Sequence, residues 1–209
     1  MKLFRTTSRK KAFLLTSLSC ATLSLSACQT TKQAPLSQET DLSKIDSILD
    51  KAAHDAAMDG KIAESLELLD SMYKRNPDNS AIGLRYAKAL RYHGNLQKAS
   101  LVLSRFINTD SPKPVIMTEY AALQAAQGNY TGSEDMARRS ILADDNQPKA
   151  YHILGIALDA QGFHKEAEVA FRRALDNWEG DPVPVLNNLG LNLAAQGMLD
   201  SAAETLRKA

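Results

Sequence analysis

Glycine recurs along this chain at a constant spacing. Gly60, Gly94, Gly128 and Gly162 are separated by equal steps, and Gly197 follows one position beyond the next equal step. Each glycine stands between two stretches whose apolar residues recur with the period of an α-helix. Glycine accepts the positive φ angle that can end the first helix, so that a second helix can fold back antiparallel to it. The spacing therefore predicts a series of helix pairs, one for each of these glycines.

Small side chains repeat in register with these glycines. The position seven residues upstream holds Ala53, Ala87, Ala121, Gly155 and Gly190, and the position five residues downstream holds Ser65, Ala99, Ser133, Ala167 and Ala202. Small residues let two helices approach closely, so the two positions are expected to meet inside each pair. Larger apolar residues are predicted to fill the core: Tyr86, Tyr120, Leu154, Leu189, Leu69, Leu103, Phe171 and Leu206.

A helix-turn-helix unit with this period, about 34 residues, resembles the tetratricopeptide repeat (TPR). We expect an all-α fold, a right-handed superhelical solenoid of about five units, because no stretch alternates apolar and polar residues as a strand would. The units are predicted at residues 46–79, 80–113, 114–147, 148–182 and 183–209. The fifth stops within its second helix, which suggests either a missing C-terminal segment or a partner that covers this end.

Two units fit the pattern less well than the others. The first has Ala52 and Ala56 where larger residues are usual. The third has Gln124 and Ala137 at core sites and Gly132 within its second helix. These units are predicted to be the less stable parts of the array.

The N-terminal segment, residues 1–27, has the layout of a secretory signal. Residues 2–11 are basic, residues 12–27 are largely apolar, and Ser26 and Ala27 are small. The apolar stretch is shorter than the roughly 20 residues that a spanning helix needs. Leu25 to Cys28 resembles a bacterial lipobox, which implies that diacylglycerol alkylates the Cys28 sulfur and that Cys28 becomes the first residue. Two or more acyl chains would anchor the protein firmly to a membrane.

The residue after the cysteine is Gln29 rather than Asp, which in similar lipoproteins implies sorting to the outer membrane, facing the periplasm. Residues 28–45 are polar and lack helical periodicity, so we predict a flexible tether. Once the signal segment is removed, the basic residues fall from 25 to 20 against 24 acidic ones. Such a surface disfavours nucleic-acid binding.

Sequence patterns of catalysis are missing. The chain has no GxSxG, GxxxxGK[ST] or GxGxxG motif and no HExxH-like pair. Its four histidines occupy different repeat positions and are predicted to be surface residues: His54, His93, His152 and His164. We expect no enzyme activity, no metal, no cofactor and no small-molecule substrate.

Protein binding is the remaining function. The first helix of each TPR unit lines the concave surface, so its outward positions are predicted to form a partner-binding groove of Leu84, Lys88, Arg91, Tyr92, His152, Ile156, Asn187 and Leu191. Thr118 and Ala122 occupy the same positions of the third unit. Asn188 is a further candidate for bonding ligand backbone, and Trp178 is either an exposed anchor or a local staple.

Within this groove we expect two kinds of surface. Lys88, Arg91 and Tyr92 form a basic-aromatic corner for a carboxylate or the backbone of an extended or helical peptide. Ile156 and Leu191 would provide an apolar floor.

Three segments carry a closer resemblance, and they begin at Leu84, Leu154 and Leu186: LRYAKALRYHGNLQKAS, LGIALDAQGFHKEAEVAFRRALD and LNNLGLNLAAQGMLDSAAETLRKA. They are similar to the TadD family of Flp (tight adherence, Tad) pilus assembly lipoproteins. The resemblance implies a pilotin-like factor that assembles or localises the outer-membrane secretin of the pilus. Lipidated TPR proteins of the NlpI kind, which bind peptidoglycan enzymes, and type IV pilus pilotins are the alternatives.

Overall fold

The computed structural model describes residues 36–209, with side chains from residue 44 onward. Over this range every regular element is an α-helix, as the sequence predicts. The helices are α1 (Leu36–Met58), α2 (Ile62–Arg75), α3 (Ser80–Tyr92), α4 (Leu96–Ile107), α5 (Pro114–Ala126), α6 (Tyr130–Ala143), α7 (Pro148–Ala160), α8 (His164–Asp176), α9 (Val183–Ala195) and α10 (Leu199–Arg207).

The helices form five pairs, which we call units 1 to 5, and each pair turns at one of the periodic glycines. These glycines have φ angles between 74° and 83°. In unit 2 the Gly94 N–H donates to the Arg91 carbonyl and the Asn95 N–H to the Leu90 carbonyl, at 3.0 and 2.8 Å. This pair of bonds satisfies the last carbonyls of α3 and requires the left-handed glycine. The predicted role of the repeat glycines is confirmed.

In units 2 to 5, the first helix of the unit begins at the residue where the sequence places the start of that unit. Helices α3, α5, α7 and α9 begin at Ser80, Pro114, Pro148 and Val183, where the predicted units begin. Helix α1 begins at Leu36, so the segment predicted as a tether is helical from there onward. Residues 36–58 contain neither glycine nor proline, so no residue in this stretch interrupts the helix. The signal segment, Cys28 and the rest of the tether lie outside the described residues.

The small residues lie between the two helices of each unit, as predicted. In unit 1 the Ser65 hydroxyl donates to the Ala53 carbonyl across the pair, at 2.7 Å. In unit 4 a methyl group added to Gly155 would lie 2.5 Å from the ring of Phe171. Close approach of the helices is therefore what these positions require.

The buried apolar residues form two clusters. The first joins units 1 and 2 and includes Tyr86, which is 1% exposed. The second joins units 4 and 5 and includes Phe171, also 1% exposed. Helix α5 contributes to both, with Ile116 and Leu123 in the first and Ala121 in the second. Unit 3 is thus the place where the two cores meet.

Two predicted core residues are not fully buried. Tyr120 is half-buried against the first cluster. Leu206 packs over Gly190 but stays 40% exposed, because no described helix lies on the far side of α10. Ala56 and Ala137 are buried despite their size. Gly132 lies in the first turn of α6, where its N–H donates to the side chain of Asn129 at 3.1 Å.

The first helices of successive units form the inner layer. Helix α5 contacts both α3 and α7, and α7 contacts α9, whereas α4, α6, α8 and α10 do not contact one another. A layer whose neighbours touch lies on the inside of a curved array, so α3, α5, α7 and α9 line the inner face. In the described part of the chain, no helix is both long enough and apolar enough to cross a bilayer.

Candidate partner-binding groove

The predicted groove residues lie on the inner face with unequal exposure. Tyr92 is 74% exposed and Leu191 61% exposed, and Asn187 is also exposed. The others are half-buried: Leu84, Lys88, Arg91, His152 and Ile156. The exposed residues are therefore the ones that a partner can reach without displacing the packing.

Arg91 does not lie free in the basic-aromatic corner. Its Nε donates to Glu119 Oε1 at 2.7 Å and its Nη2 to Oε2 at 3.4 Å. Glu119 is 4% exposed, and burial, which lowers the pKa of Arg91, is outweighed by this carboxylate, which raises it. The guanidinium also lies 4.7 Å from the centre of the Tyr92 ring. Arg91 thus joins units 2 and 3 as a largely buried ion pair, which leaves its guanidinium less available to a ligand carboxylate than the sequence predicts.

Lys88 and Tyr92 remain as the accessible part of that corner. Within residues 44–209 Lys88 has no acidic side chain within ion-pair distance. Tyr92 presents an aromatic side chain to solvent beside the Arg91 guanidinium. An aromatic ring next to an unpaired ammonium group suits a peptide with an acidic or carbonyl group near an apolar side chain.

His152 is a packing residue rather than a surface histidine. Its ring lies 6.0 Å from that of Phe171 and 5.4 Å from that of Trp178, and its Nε2 is 2.8 Å from Asn188 Nδ2. Burial lowers the pKa of His152 to about 4, although the backbone of Pro184 opposes this. The imidazole is therefore neutral near pH 7, with Nε2 accepting from the Asn188 amide. His152 and Asn188 are thus bonded to each other across units 4 and 5, and both are half-buried, which makes them less accessible than the sequence predicts.

Of the two roles that the sequence allows for Trp178, an exposed anchor or a local staple, the structure favours the local staple. It is half-buried against the second core cluster. Its indole Nε1 donates to the Asp181 carbonyl at 2.9 Å. The indole therefore fixes the loop between units 4 and 5.

The predicted apolar floor lies on α7 and α9, the first helices of units 4 and 5. Ile156 packs on the second core cluster, and Leu191 and Asn187 are exposed on the neighbouring helix. In unit 3 the structure corrects the prediction, because Thr118 and Ala122 are 8% and 7% exposed. The Thr118 hydroxyl is 2.8 Å from that of Ser140 on α6, which turns it into the unit instead of the groove.

A polar network between units 4 and 5 was missed by the sequence reasoning. Asn192 is fully buried, and its Nδ2 donates to Asp159 Oδ1 at 2.6 Å and to the His164 carbonyl at 2.9 Å. His164 Nδ1 is 2.7 Å from the same Asp159 oxygen, and Gln196 Nε2 donates to Glu168 Oε2 at 3.1 Å. Asn192, a polar residue between apolar neighbours in residues 189–195 of α9, is the signal that could have found this network.

The described residues offer little for bond chemistry. Among the side chains of residues 44–209, no three His, Cys, Asp or Glu residues group as metal ligands would. The two interior histidine contacts belong to packing, since His152 bonds an amide and His164 bonds Asp159 within a network that joins two units.

The comparisons with known proteins concern the fold. The family described as "Tetratricopeptide repeat" matches residues 183–208. No protein of curated function matches the sequence. Together with the five helix pairs, these findings and the structural matches below show that the chain has the TPR solenoid fold.

Three solved structures illustrate that likeness. A thermophilic TPR protein of Thermus thermophilus has a TM-score of 0.69 at 14% identity, with 78% of this chain and 89% of that one covered. MamA of Desulfovibrio magneticus RS-1 has a TM-score of 0.60 at 18% identity, with 78% and 92% covered. A tetratricopeptide repeat protein of Parabacteroides merdae has a TM-score of 0.56 at 16% identity, with 78% and 64% covered. Identities this low show a shared architecture alone.

Proposed function

We propose that this protein is a non-enzymatic adaptor that binds a segment of a partner protein along the inner face of its solenoid. The observation that carries the proposal is the exposure of Tyr92, Asn187 and Leu191 on the helices that form the inner layer. Apolar and aromatic side chains would anchor the partner, while Lys88 and Asn187 would bond its polar groups. A curved array presents such residues over a long surface, which suits an extended or helical segment.

We further propose that the adaptor is held at the outer membrane, facing the periplasm. The support is the lipobox-like sequence that ends at Cys28, together with Gln29. The residues between Cys28 and α1 would let the solenoid stand off the bilayer.

The partner we propose is an outer-membrane secretin, or another assembly component, of the Flp (Tad) pilus. The support is the resemblance of the segments that begin at Leu84, Leu154 and Leu186 to TadD proteins. A scaffold for peptidoglycan enzymes or a type IV pilus pilotin would use the same anchor and fold, so the experiment must separate these partners.

Complementation of a deletion strain tests the partner and the groove together. Without the gene we expect the secretin to be mislocalised and its multimers depleted, and the wild-type chain to restore both. Leu191→Glu should restore them poorly, because a charge replaces an apolar contact and weakens binding by roughly tenfold. The matched control is Leu142→Glu, on α6 away from the inner layer, where the leucine is 89% exposed. Membrane fractionation and heat-resistant multimers on gels measure the outcome.

Correct secretin localisation and multimerisation in the deletion strain would contradict the pilus function. Capture of cell-wall hydrolases by the wild-type chain, lost with Leu191→Glu, would instead support the peptidoglycan-enzyme scaffold. Equal complementation by the Leu191 and Leu142 variants would contradict the groove.

The anchor has its own matched pair of variants. Cys28→Ala should move the protein from the membrane fraction to the soluble fraction, because no thiol remains for the lipid. Cys20→Ala changes the other cysteine, which lies in the apolar stretch of the signal, and should leave the protein in the membrane fraction. Firm membrane retention of the Cys28→Ala protein would refute the lipid anchor.

A further inference from the structure

A second groove lies on the side of the solenoid formed by units 3 and 4. It runs between α6 and α8 and has α7 as its floor. Two adjoining cavities form it, and both are lined by Tyr151 and Arg173. None of the residues predicted for the inner groove lines either cavity.

One cavity is mainly apolar. It has a volume of about 260 Å³ and is lined by Leu154, Leu158, Val169 and Ala170. Val169 is 63% exposed, so part of this apolar surface is in contact with solvent. The volume is sufficient for one aliphatic side chain, whose burial there would remove apolar surface on both partners from water.

The adjoining cavity is polar and larger, at about 370 Å³. The amides of Asn146, Gln147 and Asn177 line it, with the Tyr151 ring at the boundary to the apolar cavity. The Asn177 amide donates to Asn146 Oδ1 at 3.3 Å, which leaves donors and acceptors of both side chains unused. A side-chain amide offers one acceptor and two donors, which is the hydrogen-bonding pattern that complements a peptide backbone.

The two arginines that line the groove are already paired with carboxylates. Arg138 pairs with Glu134 at 2.9 Å, and Arg173 with Asp176 at 3.3 Å. The acidic residues that also line the cavities, Glu166 and Asp145, are exposed to water. An anionic ligand would find no unpaired cation among the lining residues and would be repelled by these two carboxylates, so the groove complements a segment without acidic groups.

We propose that this outer groove is a second binding site, which takes an extended peptide segment of a partner protein that carries no acidic groups. One aliphatic side chain of the segment occupies the cavity of Leu154, Leu158 and Val169. The adjacent main-chain amides bond the side chains of Asn146 and Asn177. The adaptor then holds two protein segments at once, one on its inner face and one here.

The repeat itself supplies a clean variant. The register position of Val169 is occupied by Glu67, Asp135 and Glu204 in units 1, 3 and 5, so an acidic residue there is compatible with the helix pair. Val169→Glu should therefore fold and place a charge at the apolar cavity. Leu101 holds the same position in unit 2 and is 73% exposed, so Leu101→Glu is the matched control.

N-acetyl-leucine N-methylamide is the probe, because it carries one isobutyl group between two peptide amides and no charge. We expect saturable NMR shifts of the Leu154, Leu158 and Val169 methyl groups and of the Asn146 and Asn177 side-chain amides in the purified full chain. The affinity of so small a probe should be on the order of millimolar. Val169→Glu should weaken it at least about fivefold, and Leu101→Glu should leave it unchanged.

Two related compounds test the chemistry. N-acetylglycine N-methylamide lacks the side chain and N-acetyl-leucine carries a carboxylate, and both should bind more weakly than the probe. The proposal is overturned if the shifts do not saturate, if they are confined to the inner face, or if Val169→Glu binds as the wild-type chain does. It is also overturned if either related compound binds as tightly as the probe.

Discussion

Units 3 and 4 have the same helix-pair architecture, but their two helices are held together by different contacts. In unit 4 the ring of Phe171 lies against Gly155, and large apolar contacts fill the space between α7 and α8. In unit 3 the matching position to Phe171 holds Ala137. The Ser140 hydroxyl bonds Thr118 and the Pro114 carbonyl there, each at 2.8 Å.

The difference shows which parts of the repeat are fixed by geometry. Both units keep the left-handed glycine, at Gly128 and Gly162, because the turn requires it. Their interiors vary, because short side chains with hydrogen bonds and a ring over a glycine both give a closely packed pair. Unit 3 thus replaces apolar burial with hydroxyl bonds at the point where the two cores meet.

The largest decrease in stability should come from removing the large buried side chain of unit 4. Phe171→Ala removes a fully buried ring and should lower the free energy of unfolding by about 3–5 kcal/mol. Ala137→Gly at the matching position of unit 3 should cost only about 1 kcal/mol. Urea unfolding followed by circular dichroism measures both free energies. Equal decreases for the two variants would contradict the difference in packing between units 3 and 4.

Unit 4 should also respond to pH through His152, whereas hydroxyl bonds do not titrate. Its pKa is lowered to about 4 by burial, so between the unfolded pKa of about 6.5 and the folded value the unfolded chain binds a proton that the folded chain excludes. Stability attributable to His152 is full above pH 6.5 and falls as the pH drops, by about 3 kcal/mol on reaching pH 4.

The variant His152→Gln keeps an acceptor for the Asn188 amide and should flatten this part of the pH profile. His93→Gln, at an exposed histidine, is the control. Free energies of unfolding at pH 7, 5.5 and 4.5 are the measurement. The same slope in His152→Gln and in the wild-type chain would show that His152 is not the group responsible.

The smallest changes in stability are expected for the two buried serines of unit 3, and they should differ between the two. Ser140→Ala removes the hydroxyl that bonds Thr118 and the Pro114 carbonyl and should cost about 1–2 kcal/mol. Ser133 is equally buried, but its hydroxyl has no partner among the described residues, so Ser133→Ala should be neutral or slightly stabilising. The urea midpoints of the two variants are the measurement. If Ser133→Ala were the less stable variant, the Ser140 hydroxyl bonds would not account for the stability of unit 3.

The helix pairs could be predicted from sequence because backbone geometry leaves few choices. A residue with positive φ and two small contact positions recur at fixed spacing, and the spacing alone identifies them. The start of α1 could not be found in this way, because residues 36–44 have no periodicity to read.

The groove was harder to predict, because exposure depends on neighbours in the next unit. Arg91 and Glu119 are far apart in sequence and are bonded only once units 2 and 3 pack. His152 and Asn188 likewise belong to different units, 4 and 5. Both Glu119 and Asn188 stand at the sixth position of their units, so a polar residue there is the pattern that points to a bond with the preceding unit.

Helix α5 belongs to both apolar clusters, and this gives the chain a natural breaking point. In repeat arrays each part is held by its neighbours alone, so one half can open while the other stays folded. Amide hydrogen exchange should then divide into two blocks with their boundary at α5. A partner that contacts both sides of this helix would stabilise the array, because its binding free energy is lost when the two halves separate.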